Sequence, residues 1–149
     1  AHALLTENKQ QQKVVVASNN DLETYASIIA IWQTGNTYIP LNFEEHNNKL
    51  NNIIYTLNPD LILTSRTAEF KFSSTHKMLN TSKTHNNTST IKSRYENHKD
   101  TAYILFTSGT TGSPKGVPIS YQNLNPFVDS FLSLGITFRI KMCFYKWLI

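Results

Sequence analysis

The sequence predicts an α/β fold made of βαβ units with parallel strands. Short, continuous apolar runs alternate with stretches whose apolar residues recur at helical spacing. Capping residues, glycine or proline punctuate them. The resulting order of strand, helix, strand, helix, strand joins its strands by crossovers, and such strands pair in parallel with right-handed connections.

Each element has its own signal. Val14-Val15-Val16-Ala17 is apolar throughout, as a strand buried on both faces requires. Ser18-Asn19-Asn20-Asp21 then offers helix-capping side chains. Tyr25, Ile28, Ile29 and Trp32 follow at i, i+3, i+4 and i+7, the core-facing stripe of a helix ending at Gly35. Trp32 belongs to that core stripe rather than to a cofactor contact. Tyr38-Ile39, before Pro40, reads as a second strand. Leu50, Ile53, Ile54 and Leu57 repeat the helical spacing, and Asn58-Pro59 stops that helix. Leu61 to Thr64 is a third strand.

Periodicity fades from residue 65 to about 100, where Ser, Thr and Asn clusters read as a polar, variable connection. His76, His85 and His98 lie there at spacings that match no zinc pattern. The chain regains pattern at Thr101 to Thr107, a strand, and at Val117 to Ser120, another. Ser120 is placed to cap a helix through Leu134, with Leu124, Phe127, Val128, Phe131 and Leu132 as its apolar face.

The composition narrows the function classes. The 149 residues suffice for one domain, 40% are hydrophobic and 16% charged, and the net charge is +4. The lysines are scattered, with no basic stripe interleaved with aromatics, which argues against nucleic acid as a partner. No apolar run approaches the roughly 20 residues that span a bilayer, so no membrane partner is expected. The single Cys143 cannot form an internal disulfide and suits a reducing compartment, and no signal peptide is visible, so a cytoplasmic location is expected. Asn-x-Ser/Thr matches at Asn80, Asn86 and Asn87 sit in Asn-rich sequence and read as chance.

Residues 103–118 are the one stretch built for chemistry. An apolar strand runs into Thr107-Ser108-Gly109-Thr110-Thr111-Gly112-Ser113-Pro114-Lys115-Gly116. Glycines let the backbone approach an anion, and free N–H groups with hydroxyls can cradle phosphate oxygens. A nucleotide-hydrolase phosphate loop would need Ser or Thr after its lysine, yet Gly116 follows Lys115. The dinucleotide fingerprint fails too, because no glycine stands between Gly109 and Gly112. A plain glycine-bearing turn between two strands is the remaining structural alternative.

The loop resembles the phosphate-binding signature of adenylate-forming (AMP-binding) enzymes. Ala30-Ile31-Trp32-Gln33-Thr34-Gly35-Asn36-Thr37-Tyr38-Ile39-Pro40-Leu41 resembles a second segment of that family, with Gln33 where lysine is common. Tyr38-Ile39-Pro40-Leu41 is nearest to the amino-acid adenylation domains of nonribosomal peptide synthetases and to D-alanine–carrier protein ligases. The resemblance implies the N-terminal part of an adenylate-forming ligase fold with an incomplete sheet, spanning 1–134 as a partial adenylation subdomain.

It also implies a reaction. ATP, with Mg2+, activates a carboxylic acid or amino acid to an acyl-adenylate plus pyrophosphate, for transfer to a carrier-protein thiol or to coenzyme A. Thr107, Ser108, Gly109, Thr110, Thr111, Gly112 and Lys115 would bind the phosphates. Lys115 would act by charge stabilisation alone, and Thr111 would stand near the Mg2+ through the phosphate. In the family, the adenine, ribose and acid-binding segments and the mobile domain with the catalytic lysine fall beyond residue 149. The chain by itself is therefore expected to be an inactive fragment. A fatty or aryl acyl-CoA synthetase fragment, or a non-catalytic phosphate-binding or interaction module, are the competing readings.

After Gly135 the pattern departs from the family. Residues 136–149 mix aromatic and cationic side chains. Read one frame over, with permitted codon choices, the tail gives a stretch closer to the family pattern. This predicts a frameshift after Gly135 and an aberrant tail over 135–149.

Overall fold

The computed structural model describes residues 11–17, 21–42, 48–65, 76–83, 100–108 and 114–134. The elements in chain order are β1 (Lys13–Ala17), α1 (Leu22–Gln33), β2 (Thr37–Leu41), α2 (Asn48–Leu57), β3 (Leu61–Thr64), β4 (Met78–Asn80), β5 (Thr101–Ser108), β6 (Pro114–Ser120) and α3 (Tyr121–Ser133). One turn of 3-10 helix, Thr81–Lys83, follows β4. The strands form one open sheet in the order β4-β3-β1-β2-β5-β6. All neighbours are parallel except β5 and β6, which are antiparallel.

β1 lies at the centre because it can be buried on both faces. Val14, Val15, Val16 and Ala17 are each at most 1% exposed. Alternate residues serve opposite layers. Val15, Ala17, Ile39, Leu41 and Ile62 pack with Leu50, Ile54 and Leu57 of α2. Val14, Val16, Leu61 and Leu63 pack with Ala30 and Ile31 of α1. Helices on both faces of a largely parallel sheet are the arrangement the alternating pattern called for.

The caps are also as the sequence implies. Asp21 is the N-cap of α1, its Oδ1 accepting the Thr24 N–H at 2.9 Å. Gly35 closes the other end with φ of 70°. Its N–H donates to Trp32 O and that of Asn36 to Ile31 O, a Schellman ending. Asn58 stops α2 at φ 44°, just before Pro59.

Four details differ from expectation. The buried face of α1 is Thr24, Ser27, Ala30 and Ile31, while Tyr25 is 54% exposed. Small side chains at these positions let the helix sit close to the sheet, and Ser27 satisfies its hydroxyl on Glu23 O at 2.7 Å. Ile28, Ile29 and Trp32 flank that contact, half-buried. β4 falls within the stretch read as polar connection. It has only three residues, and its pairing with Ile62, Leu63 and Thr64 of β3, not any periodicity of its own, makes it a strand. β2 runs through Pro40, which stands in register with Val16. β6 begins at Pro114 rather than Val117, because pairing with β5 extends the strand to the loop.

Ser120 does cap α3, its Oγ accepting the Asn123 N–H at 3.3 Å. On its expected apolar face Leu124 and Val128 are half-buried and Phe127 is 65% exposed; the side chains of Phe131 and Leu132 lie outside the described residues. His85, His98, Asn86, Asn87 and the 135–149 tail lie outside them as well. No described helix is long and apolar enough to cross a membrane.

Candidate phosphate-binding site

The site begins with β5. Its first residues are held from four directions. The Trp32 indole N–H donates to Ala102 O at 2.9 Å, and the Thr37 hydroxyl to Thr101 O at 3.0 Å. Gln11 Nε2 donates to Asp100 Oδ1 at 2.9 Å, and the Tyr121 N–H to Asp100 O at 3.0 Å. Trp32 thus acts in the core, edge-on to Tyr38 with ring centroids 6.3 Å apart. Helix α1, strand β2 and the start of α3 all fix the base of the strand that delivers the loop. Sequence reasoning named Trp32 as core but gave no anchoring role to Gln11, Thr37 or Asp100, whose polar side chains carry no periodic signal.

β2 and β5 are in register at Tyr38 and Tyr103. Past that point β5 runs on with β6 as its ladder partner, from Ile104 opposite Pro118 to Ser108 opposite Pro114. Thr107 lies four residues beyond Tyr103, roughly 13 Å along the strand. Thr107 and Lys115 are direct register partners, and both are exposed. Residues directly opposite in an antiparallel pair share a face, with Cβ atoms about 4.5–5.5 Å apart. The hydroxyl and the ammonium-bearing side chain therefore leave the hairpin side by side. Counting from Tyr103, the partner of Tyr38, this is the α1 side of the sheet.

Thr107, Ser108 and Lys115 are thus brought to the two stems of one hairpin end. Lys115 belongs to a strand, not to the loop. Gly109, Thr110, Thr111 and Gly112 lie outside the described residues. The loop leaves the carboxyl end of β5, which runs parallel to β2. The chain from β2 crosses to β3 on the far side of β1, whereas β5 turns outward to β6. Carboxyl ends of strands whose connections part in this way are where open α/β sheets bind ligands. Among the described residues no three His, Cys, Asp or Glu side chains converge as metal ligands.

A second polar cluster sits at the ends of β1, β3 and β4. Ser65 Oγ and Thr24 N both donate to the Asp21 carboxylate. The Ser65 hydroxyl first, and then Thr24, hold that carboxyl below its ordinary value of 3.8. Ser82 Oγ donates to Ser65 O, and Thr81 Oγ1 to Thr64 O at 3.2 Å. These groups are spent on one another and tie the helical turn after β4 to α1.

The chain is similar to known proteins in both sequence and fold. The chain is 31% identical to D-alanine–D-alanyl carrier protein ligase of Streptococcus pneumoniae, over 80% of this chain and 24% of that protein. It is 30% identical to the nonribosomal peptide synthetase sidC of Aspergillus fumigatus, over 82% of this chain and 3% of that protein. The chain therefore spans at most about a quarter of these relatives. The solved O-succinylbenzoate coenzyme A synthetase of Bacillus subtilis, in complex with AMP, superposes with a TM-score of 0.72 at 24% identity. That match covers 90% of this chain and 36% of that one, and shows the fold to be the N-terminal part of an adenylate-forming ligase. The model of the family described as AMP-binding enzyme matches residues 1–144. The chain belongs to the AMP-binding enzyme family.

Proposed function

We propose that the β5–β6 hairpin is the polyphosphate wall of an adenylate-forming site that activates an amino acid with ATP. The observation that carries this reading is the Thr107–Lys115 pair. A hydroxyl donor and a cation stand in register at the mouth of a loop whose sequence is glycine, threonine, threonine, glycine and serine. Tyr38-Ile39-Pro40-Leu41 and the two relatives named above support an amino acid over a fatty or aryl acid.

ATP supplies the activated phosphate: the substrate carboxylate displaces pyrophosphate from the α-phosphate and leaves an acyl-adenylate. The chain's own residues contribute positioning and charge. Lys115 would neutralise the β- and γ-phosphates as negative charge gathers on the leaving group, while the Thr107 hydroxyl donates to a phosphate oxygen. Ser108 and the loop residues Gly109, Thr110, Thr111 and Gly112 would add backbone and hydroxyl donors. Mg2+ fits a site of this kind when phosphate oxygens supply most of its ligands, with Thr111 near it. The acceptor of the acyl group would be a carrier-protein thiol or coenzyme A. ATP chemistry and the single cysteine are in keeping with the cytoplasm. The 149 residues alone form one wall and do not complete the reaction.

Titration of this chain with Mg2+–tripolyphosphate, followed by amide NMR, tests the reading. Perturbations should concentrate at residues 107–116. Lys115→Ala should weaken binding by about tenfold or more, the usual worth of a charge-assisted contact. Wild-type affinity in both Lys115→Ala and Thr107→Ala would refute the assignment. ATP–pyrophosphate exchange by the unextended chain, with any amino or fatty acid, would refute the claim that it is incomplete.

A further inference from the structure

We propose that Phe106 and Gly116 form a register lock, which keeps Lys115 on the same face of the hairpin as Thr107. Phe106 would then be a positioning residue for the polyphosphate contact. The inference rests on the polyphosphate reading for its functional consequence, but not for its geometry.

The need for a lock follows from topology. β5 is paired to β2 at Tyr103, but β6 is the edge strand of the sheet, so β5 alone sets the register of β6. A slip of one residue turns every side chain of an edge strand to the other face. Thr107, Lys115, Leu105 and Val117 cannot resist a slip by burial. All four are exposed, Leu105 by 43% and Val117 by 42%.

On the opposite face the β5 side chains Ile104 and Phe106 are half-buried. Ile104 and Phe106 pack against the cluster of Val15, Ile39 and Leu50. Gly116 is the register partner of Phe106. A Cβ placed on Gly116 would come 3.1 Å from Ile104 Cγ2 and 3.3 Å from Phe106 Cζ. The ring therefore lies across the glycine, in the way aromatics cover strand glycines and pin their register. A one-residue slip would put Lys115 or Val117 opposite Phe106, and either side chain would strike the ring. Only the register that presents glycine lets the ring stay on the core, and that register sets Lys115 beside Thr107.

The test uses this chain and two NMR readouts, cross-strand NOEs pairing Thr107 with Lys115 and tripolyphosphate affinity. Phe106→Leu keeps apolar volume on the core but removes the ring, and Gly116→Ala crowds Ile104 Cγ2 and the ring together. Each should lose or split the Thr107–Lys115 NOEs while those of β1, β2 and β3 persist, and tripolyphosphate should bind about tenfold more weakly. Phe106→Tyr should restore both readouts. Unchanged NOEs in Phe106→Leu and Gly116→Ala would overturn the lock. Global loss of the fold in both variants would overturn it too, since the ring would then be core rather than register. If Lys115→Ala leaves tripolyphosphate binding intact while Phe106→Leu still disturbs the NOEs, the lock stands and the polyphosphate reading fails.

Discussion

Replacing Asn36 with alanine should cost the fold about 3 kcal/mol, more than its place in a loop between helix and strand suggests. Asn36 is 1% exposed. Its Oδ1 accepts the Gln12 N–H at 2.9 Å, and its Nδ2 donates to Thr34 Oγ1 at 2.9 Å. The backbone bond from Asn36 N to Ile31 O would survive the substitution. The Thr34 hydroxyl would still donate to Ala30 O. What is lost is two side-chain hydrogen bonds, each worth about 1 kcal/mol net, with a further penalty because the Gln12 amide is buried and loses that acceptor. The sum is roughly 2–4 kcal/mol, or about 6–12 °C in Tm at roughly 3 °C per kcal/mol for a chain of this size. Urea and thermal unfolding by circular dichroism measure it, with Asn52→Ala on the exposed side of α2 as the control, expected within about 0.5 kcal/mol of wild type. If the two variants unfold alike, the buried amide is not bracing the β1–α1–β2 corner and the reasoning fails.

Trp32→Phe should destabilise by about 2 kcal/mol, from the lost bond to Ala102 O and the smaller ring. Amide exchange should speed up at the base of β5 more than in β3, and equal rates in both strands would contradict the anchoring role. Acid unfolding should involve Asp21. Its folded carboxyl titrates below 3.8, so its contribution is complete above that value and is lost as pH falls through the lower folded one. Asp21→Asn should flatten the stability profile below about pH 4, and an unaltered acid limb would count against the cap. Inserting one residue between Lys115 and Gly116 should weaken tripolyphosphate binding as much as Lys115→Ala does, because the lysine moves to the other face while Gly116 stays under Phe106. Native affinity in that insertion variant would show that the lysine acts from the loop and not from the strand.

The parts of the fold legible in the sequence are those where local pattern and tertiary demand coincide. Val14 to Ala17 and Leu61 to Thr64 are apolar without a break because both faces are covered, and they are strands. Leu50, Ile54 and Leu57 stand at helical spacing because one side of α2 meets the sheet, and they are buried. Where small residues make the contact, the signal inverts. The apolar stripe of α1 through Tyr25 is offset from the face that packs, because Thr24, Ser27 and Ala30 allow a closer approach than tyrosine could. β4 was illegible for a different reason, being an edge strand made by its partner.

The candidate site was legible as a list of residues and not as a geometry. Motif spacing selected Thr107 and Lys115, and it placed Thr107 at a strand end and Lys115 in the loop. The structure puts Lys115 on a second strand opposite Thr107, so the pleat and the cross-strand register set the direction of each side chain. Thr107 and Lys115 are separated by eight positions, an even number, and each stands one residue from Phe106 or Gly116. The polar pair and the packing pair therefore occupy opposite faces and cannot be moved independently. Selection for the ring-on-glycine contact below is also selection for the hydroxyl–cation pair above. Gly116, which lies within β6, is in this hairpin a site for an aromatic ring. The phosphate chemistry proposed for the loop then depends on hydrophobic packing one residue away from it.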